Sequence, residues 1–265
     1  MIELSVADVV LVFGIVLFTA FVQSVVGFGF ALLAVPLLIQ VIELQQAVIL
    51  ASLIGTSNNI FQFKDLRKDQ DTVQVKRFLY ASFIGAPAGL AVFLYANQDA
   101  LKIILGCGVL FGVVLLARGR DLSEAHVGLD WAMGIISGVL LTSTSTNGPP
   151  LVFALQARRS PPAVFRATLN LIFLVSGLYG IALFALFGEI AVEDVLLAIA
   201  VLPAMVVGVL IGRVARKRID PLRFRTAVLP RLSWCHHGNF NQSARFRTRQ
   251  RSCTIIHLTH CAHRN

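Results

Sequence analysis

Charge is what this sequence has least of. Only 14% of its residues are Asp, Glu, Lys or Arg, against roughly 25% in an ordinary soluble domain. With 56% of residues hydrophobic and a mean hydropathy of +0.77, that scarcity excludes a soluble globular chain. Strand-like alternation is missing too. The apolar residues come in long blocks, which favours helices over a β-barrel. Cysteine is sparse: Cys107 falls in an apolar helix, and Cys235, Cys253 and Cys261 lie near the C-terminal end and give no disulfide framework. No Lys or Arg precedes the first apolar run, MIELSVADVVLVFG, so it reads as a retained helix and not as a cleaved leader. No Asp, Glu or His reads as buried within residues 9–63 or 131–187, and His126 falls in a loop. An enzyme would need an acid, a base or a metal set there. The expectation is therefore no catalysis, no metal and no cofactor.

The net charge of +9 is unevenly placed. Residues 213–265 hold twelve Lys/Arg and one acid, Asp220, or +11; residues 1–212 hold eleven Lys/Arg and thirteen acids, or −2. The basic character belongs to one end, and nucleic-acid binding is not expected. The partners expected are the lipid bilayer and a small anionic substrate. A homo-oligomer is compatible with the sequence.

Crossing the hydrocarbon takes about 20 apolar residues. The spans expected are 6–24, 44–63, 78–96, 100–117, 131–146, 166–187 and 191–212. Two apolar pieces, 27–42 and 148–157, are shorter and broken. Four basic clusters mark one side: Lys64, Arg67, Lys68, Lys76 and Arg77; Arg118 and Arg120; Arg158, Arg159 and Arg166; Arg213, Arg216, Lys217 and Arg218. All four face the cytoplasm if the chain turns back near 148–157. The expected location is the cytoplasmic (inner) membrane, multi-pass.

The halves repeat weakly. Each runs span, Gly/Pro-broken segment, polar-dotted span and proline-containing span. GTSNN and GAPAGLAVF in the first half correspond to FRATLN and LPAMVVGVLIG in the second. Corresponding spans are expected to run in opposite directions, an inverted repeat of the kind secondary transporters use. The fold class expected is all-α: a polytopic transmembrane bundle with two inverted repeats and Gly/Pro-broken segments. Residues 1–120 form the first repeat and 121–228 the second, and 229–265 form a basic Cys/His-containing tail. A helix follows DALK in the first half; none follows DPLR in the second, so its last helix reads as missing. The tail has three readings: a basic segment touching anionic lipid, a Cys/His metal site whose spacings match no zinc pattern, or a segment foreign to the fold through a reading-frame shift. The abrupt change of composition favours the third.

The broken segments carry the chemistry. In SVVGFGFALLAVPLL, Gly27, Phe28 and Gly29 precede Pro36. In the second half Ser143, Thr144, Ser145, Thr146 and Asn147 precede Gly148, Pro149 and Pro150. Irregular backbone is tolerated at membrane depth only where protein or a wet cavity surrounds it. Helix N-termini offer free N–H groups and partial positive charge to an oxyanion. Two breaks meeting near the midplane would form one anion site; close packing of small residues is the competing reading. Asn58 and Asn59 either line that path or bond a neighbouring helix. Arg166 and Asn170 share a helix face, where Arg166 either attracts the anion or anchors the helix. Gln23 and Gln156 are lesser candidates, and Pro87 and Pro203 are expected to kink their spans.

The motifs FVQSVVGFGFALLAVPLL, STNGPPLVFAL and PPAVFRATLNLIFL resemble the sulfite exporter TauE/SafE family of membrane permeases over about residues 10–228. The resemblance implies two repeats of several helices and movement of sulfite, sulfonates or related organosulfur anions across the cytoplasmic membrane. It also implies a last hydrophobic helix, from which this sequence departs. The function expected is a permease for a small sulfur-containing anion. The alternatives are a carrier of another small anion such as a carboxylate, a non-transporting membrane subunit, or an inactive truncated product.

Overall fold

A computed structural model describes residues 5–66, 70–118, 127–157 and 161–218. Arg67, Lys68, Arg120, His126, Arg158, Arg159 and the 229–265 tail lie outside the described residues. Among the described residues the chain is helical throughout: α1 (Val6–Val26), α2 (Phe30–Leu38), α3 (Leu44–Leu66), α4 (Thr72–Tyr95), α5 (Gln98–Arg118), α6 (Val127–Thr144), α7 (Gly148–Ala157), α8 (Pro162–Leu186) and α9 (Val192–Arg218).

The helix starts are written in the sequence. Ser5 caps α1 and forms a reciprocal pair with Asp8. Asp71 Oδ1 accepts from the Val73 and Gln74 N–H groups at the head of α4, both at 3.1 Å. Asn97 does the same for α5. Pro162 opens α8, where its missing N–H is not needed.

Among the described residues five helices, α1, α4, α6, α8 and α9, are long and apolar enough to cross a membrane. At 23 residues, α3 is also long enough. It falls below the hydropathy of the others because it carries Ser52, Thr56, Asn58, Asn59 and Gln62, and all five are buried inside the bundle. Its polar face is turned to protein, not lipid. By contrast α2, with nine residues, and α7, with ten, rise only about 14–15 Å at 1.5 Å per residue. Each covers roughly half of the ~30 Å hydrocarbon.

Two seams of small residues hold the bundle. On α4, a methyl at Gly85 or Gly89 would strike the carbonyl oxygens of Ile135 and Val139 on α6; on α6, one at Gly134 or Gly138 would strike Ala81 or the Ser82 carbonyl on α4. The backbones therefore touch, as small-residue spacing permits. Thr142 Oγ1 donates to Ala86 O at 2.6 Å across the same seam. The second seam joins α1 to α9: Gly208 lies over the Leu17 carbonyl and Ala20, and Gly212 over Phe21 and Ser24.

The same contacts fix directions. Numbers rise together along α4 and α6 and along α1 and α9, so each pair is parallel. Asp71 meets Thr168, and Phe83 meets Tyr179, so α4 and α8 are parallel as well. Asn59 meets Asn170 whereas Thr56 meets Gly177, so α3 and α8 are antiparallel. At one end of the bundle Arg213 on α9 binds Asp65 on α3 at 2.9 Å and the Phe61 carbonyl at 3.1 Å. There too the end of α1 at Gly27 meets Arg166 on α8.

Candidate functional site

Both helix breaks depend on left-handed backbone. Gly27 ends α1 with φ +98°, and Gly29 begins α2 with φ +100°. A side chain is strained at such angles. For Gly29 the angle alone is the reason, because a Cβ there would meet no atom within 4 Å. At the second break the left-handed residue is a serine: Ser145, at the end of α6, has φ +58°. A non-glycine residue there is uncommon.

The two breaks come together. A Cβ on Gly148 would lie 3.8 Å from Phe173 and 3.9 Å from Phe28. Between them is a cavity of about 60 Å³, room for more than one water. Its lining comes from six helices and both breaks, with Phe28, Gly29, Asn59, Ser145, Thr146, Asn147, Gly148 and Pro149 among the residues expected from sequence. Gln23, a lesser candidate, lines it as well.

The rest of the expected set stands behind the wall. Ser143 and Thr144 bond back to Val139 O (2.7 Å) and Leu140 O (3.2 Å) on their own helix. Thr144 also holds Thr146 Oγ1 at 2.7 Å. Asn58 is fully buried and bonded to Gln23 and Gln62. Asn170 donates to the Asn59 carbonyl at 3.2 Å. The Arg166 stem packs on Gly27, where a Cβ would sit 2.7 Å from its Cγ. Pro36, Arg166 and Gly27 are not among the lining residues, nor is Gln156. Pro87 and Pro203 lie on exposed faces of α4 and α9.

Sequence reasoning missed Ser52, Gly55, Gly177 and Gly180, which line the cavity. Ser52, Thr56 and Asn59 stand at i, i+4 and i+7 on α3, one helical face, and that spacing was the available signal. Ser52 Oγ is 3.1 Å from Ser145 Oγ and ties α3 to the second break. The reading also passed over Asp130, fully buried at the start of α6 and 3.5 Å from Arg77 Nη1. It lies one residue before the span drawn at 131–146.

Among the described residues no Asp, Glu, Lys or Arg lines the cavity. Its polarity comes from donors. The N–H groups of Phe30, Ala31 and Leu32 open α2 with no side-chain cap, so the first turn leaves them unpaired at the positive end of the helix dipole. Pro149 and Pro150 remove the equivalent donors from α7 and leave Gly148 N–H; there Ser145, Thr146 and Asn147 add hydroxyl and amide groups. Such a wall of neutral donors suits a small anion and, having no fixed countercharge, also allows it to leave. Among the described residues no group of His, Cys, Asp or Glu is placed to hold a metal.

The chain matches the family model described as Sulfite exporter TauE/SafE over residues 12–232. No curated protein and no solved structure matches it.

Proposed function

Because the chain belongs to the TauE/SafE sulfite exporter family, a transporter family, we propose that it carries a small sulfur oxyanion such as sulfite or a sulfonate across the cytoplasmic membrane. One observation carries the reading. Two helix breaks, one from each half of the chain, line a single polar cavity beside the middle of α3 and α8. Phe28, Gly29, Asn59, Ser145, Thr146, Asn147 and Gly148 are the residues assigned to the anion. Asn58 and Asn170 hold Asn59. Arg166 is assigned to the entrance, at the end of the bundle shared with Arg77 and Arg213.

An inverted repeat accounts for the helix directions. Under the exchange of α1 with α6, α2 with α7, α3 with α8 and α4 with α9, the seam α1–α9 becomes α6–α4, and the antiparallel pair α3–α8 maps onto itself. This supports alternating access around a fixed central site. The basic end is assigned to the cytoplasm by its Lys and Arg content. Since α1 ends there alongside α3, the head of α1 faces the opposite side and residues 27–43 return across the membrane.

The test is counterflow of labelled sulfite in proteoliposomes with competing sulfonate and carboxylate. Sulfite and sulfonate are expected to compete and a carboxylate to have no effect. No sulfite flux, or competition by carboxylate alone, refutes the proposal. Asn147→Leu and Gly29→Leu are expected to abolish flux, and unchanged flux in both would remove the site assignment.

A further inference from the structure

Four buried side-chain amides form a head-to-tail chain leading to the cavity. Gln62 Nε2 donates to Asn58 Oδ1 (2.8 Å), Asn58 Nδ2 to Gln23 Oε1 (2.7 Å), and Gln23 Nε2 to Asn59 Oδ1 (2.9 Å). The Asn59 Nδ2 group has no partner among the described residues, and Asn59 lines the cavity. Gln62, one turn beyond Asn58, does not line it.

A primary amide has a donor end and an acceptor end, and its orientation follows the bonds it makes. Turning one member alone sets two donors or two acceptors face to face, at the cost of an unpaired buried group. Turning all four restores every internal bond in the opposite sense. The chain thus has two self-consistent orders. One ends in the cavity as an N–H donor, the other as a carbonyl acceptor.

We propose that this amide relay sets the polarity of the cavity, and that Gln62 is a positioning residue acting on the anion through Asn58, Gln23 and Asn59. The inference rests on the anion-carrier reading for its consequence and on the hydrogen bonds alone for its existence. An anion in the cavity selects the donor order. An ionised Glu at position 62 accepts only, so it turns Asn58, then Gln23, then Asn59, and replaces the N–H in the cavity by a carbonyl; the assay is run at a pH high enough to ionise it. Lys at position 62 donates only and holds the observed order.

The experiment compares Gln62→Glu, Gln62→Lys, Asn58→Leu and Gln62→Glu with Asn58→Leu. Side-chain amide NMR of Asn- and Gln-labelled protein reads Asn59, and sulfite counterflow reads the half-saturation concentration. Gln62→Glu is expected to move the Asn59 amide signals and to raise half-saturation roughly tenfold or more, the worth of one hydrogen bond to a charged group, with the maximal rate kept. In the Asn58→Leu background the relay is cut, and the same change is expected to add nothing to either readout. Gln62→Lys is expected to leave both at the wild-type value.

An Asn59 signal indifferent to Gln62→Glu overturns the relay. So does an equal response with Asn58→Leu, which would mean that the new charge acts through space. If Gln62→Glu does not fold, Gln62→Lys decides: weakened sulfite binding or shifted Asn59 signals refute the proposal. Wild-type protein that shows the Asn59 response but no sulfite flux refutes the carrier reading and leaves the relay standing.

Discussion

Replacing Ser145 separates backbone from side chain at the second break. Its φ of +58° costs an L-residue about 1–2 kcal/mol, and glycine is free of that cost. The Ser52–Ser145 hydrogen bond at 3.1 Å contributes about 0.5–1.5 kcal/mol, and either substitution loses it. Ser52 keeps its bond to Val48 O at 2.8 Å, so no buried donor is stranded. Ser145→Gly should therefore unfold within about 1 kcal/mol of wild type. Ser145→Ala keeps the strain and loses the bond, and should fall below glycine by about 1–2 kcal/mol. Thermal unfolding of the purified protein in detergent reads this order. Function should follow a different order. If the hydroxyl meets the anion, both variants lose it, and sulfite flux should drop roughly tenfold to a hundredfold in each, the range for a hydrogen bond to a charged group. Glycine retaining flux while alanine loses it would refute the hydroxyl's role and leave only geometry. Glycine less stable than alanine would refute the strain argument itself.

Three further outcomes are expected. Gly29→Ala should destabilise by about 1–2 kcal/mol through its left-handed φ alone, whereas Gly14→Ala, equally free of neighbours but inside α1, should be neutral or stabilising; equal effects in a melting assay would contradict this. Gly138→Ala should destabilise by about 1–3 kcal/mol, because its methyl strikes the Ser82 carbonyl, and a thermal midpoint unchanged from wild type would show the α4–α6 seam to be loose. Asp130→Leu should lower stability by weakening the tie to Arg77, and Arg77→Leu added to it should cost less than it does alone, as a double-mutant cycle would read.

The helices were legible because membrane-length apolar blocks leave little choice of structure. The breaks were legible as well, since Gly-Phe-Gly and Gly-Pro-Pro interrupt runs that nothing else disturbs. Which hydroxyls face the cavity was not. Ser143, Thr144, Ser145 and Thr146 are equivalent as letters; the left-handed turn at Ser145 sends the first two back onto α6 and the last two into the cavity. Asn58 and Asn59 were similarly open between lining and bonding; the helix phase leaves Asn58 to bonding alone, while Asn59 both lines the cavity and accepts from Gln23. Ser52 escaped because its signal lies only in sharing a helix face with Thr56 and Asn59, and a single serine in VILASLIG does not stand out by itself. Asp130 escaped because an acid at the edge of a span reads as an interfacial residue, and its burial depends on α4.

The two seams also set the order in which the molecule can be built. A ribosome delivers α1 first and α9 last among the described helices, yet these two pack backbone to backbone. The α4–α6 seam likewise waits from the synthesis of α4 until that of α6. Each half on its own leaves a glycine-lined flank open to lipid. The first half must remain in the bilayer unpaired until the second half is inserted, and only the arrival of α9 closes the bundle. A ribosome stall between the halves would therefore leave one incomplete fragment, and a cut before the bundle closes would leave two, in neither case a working domain.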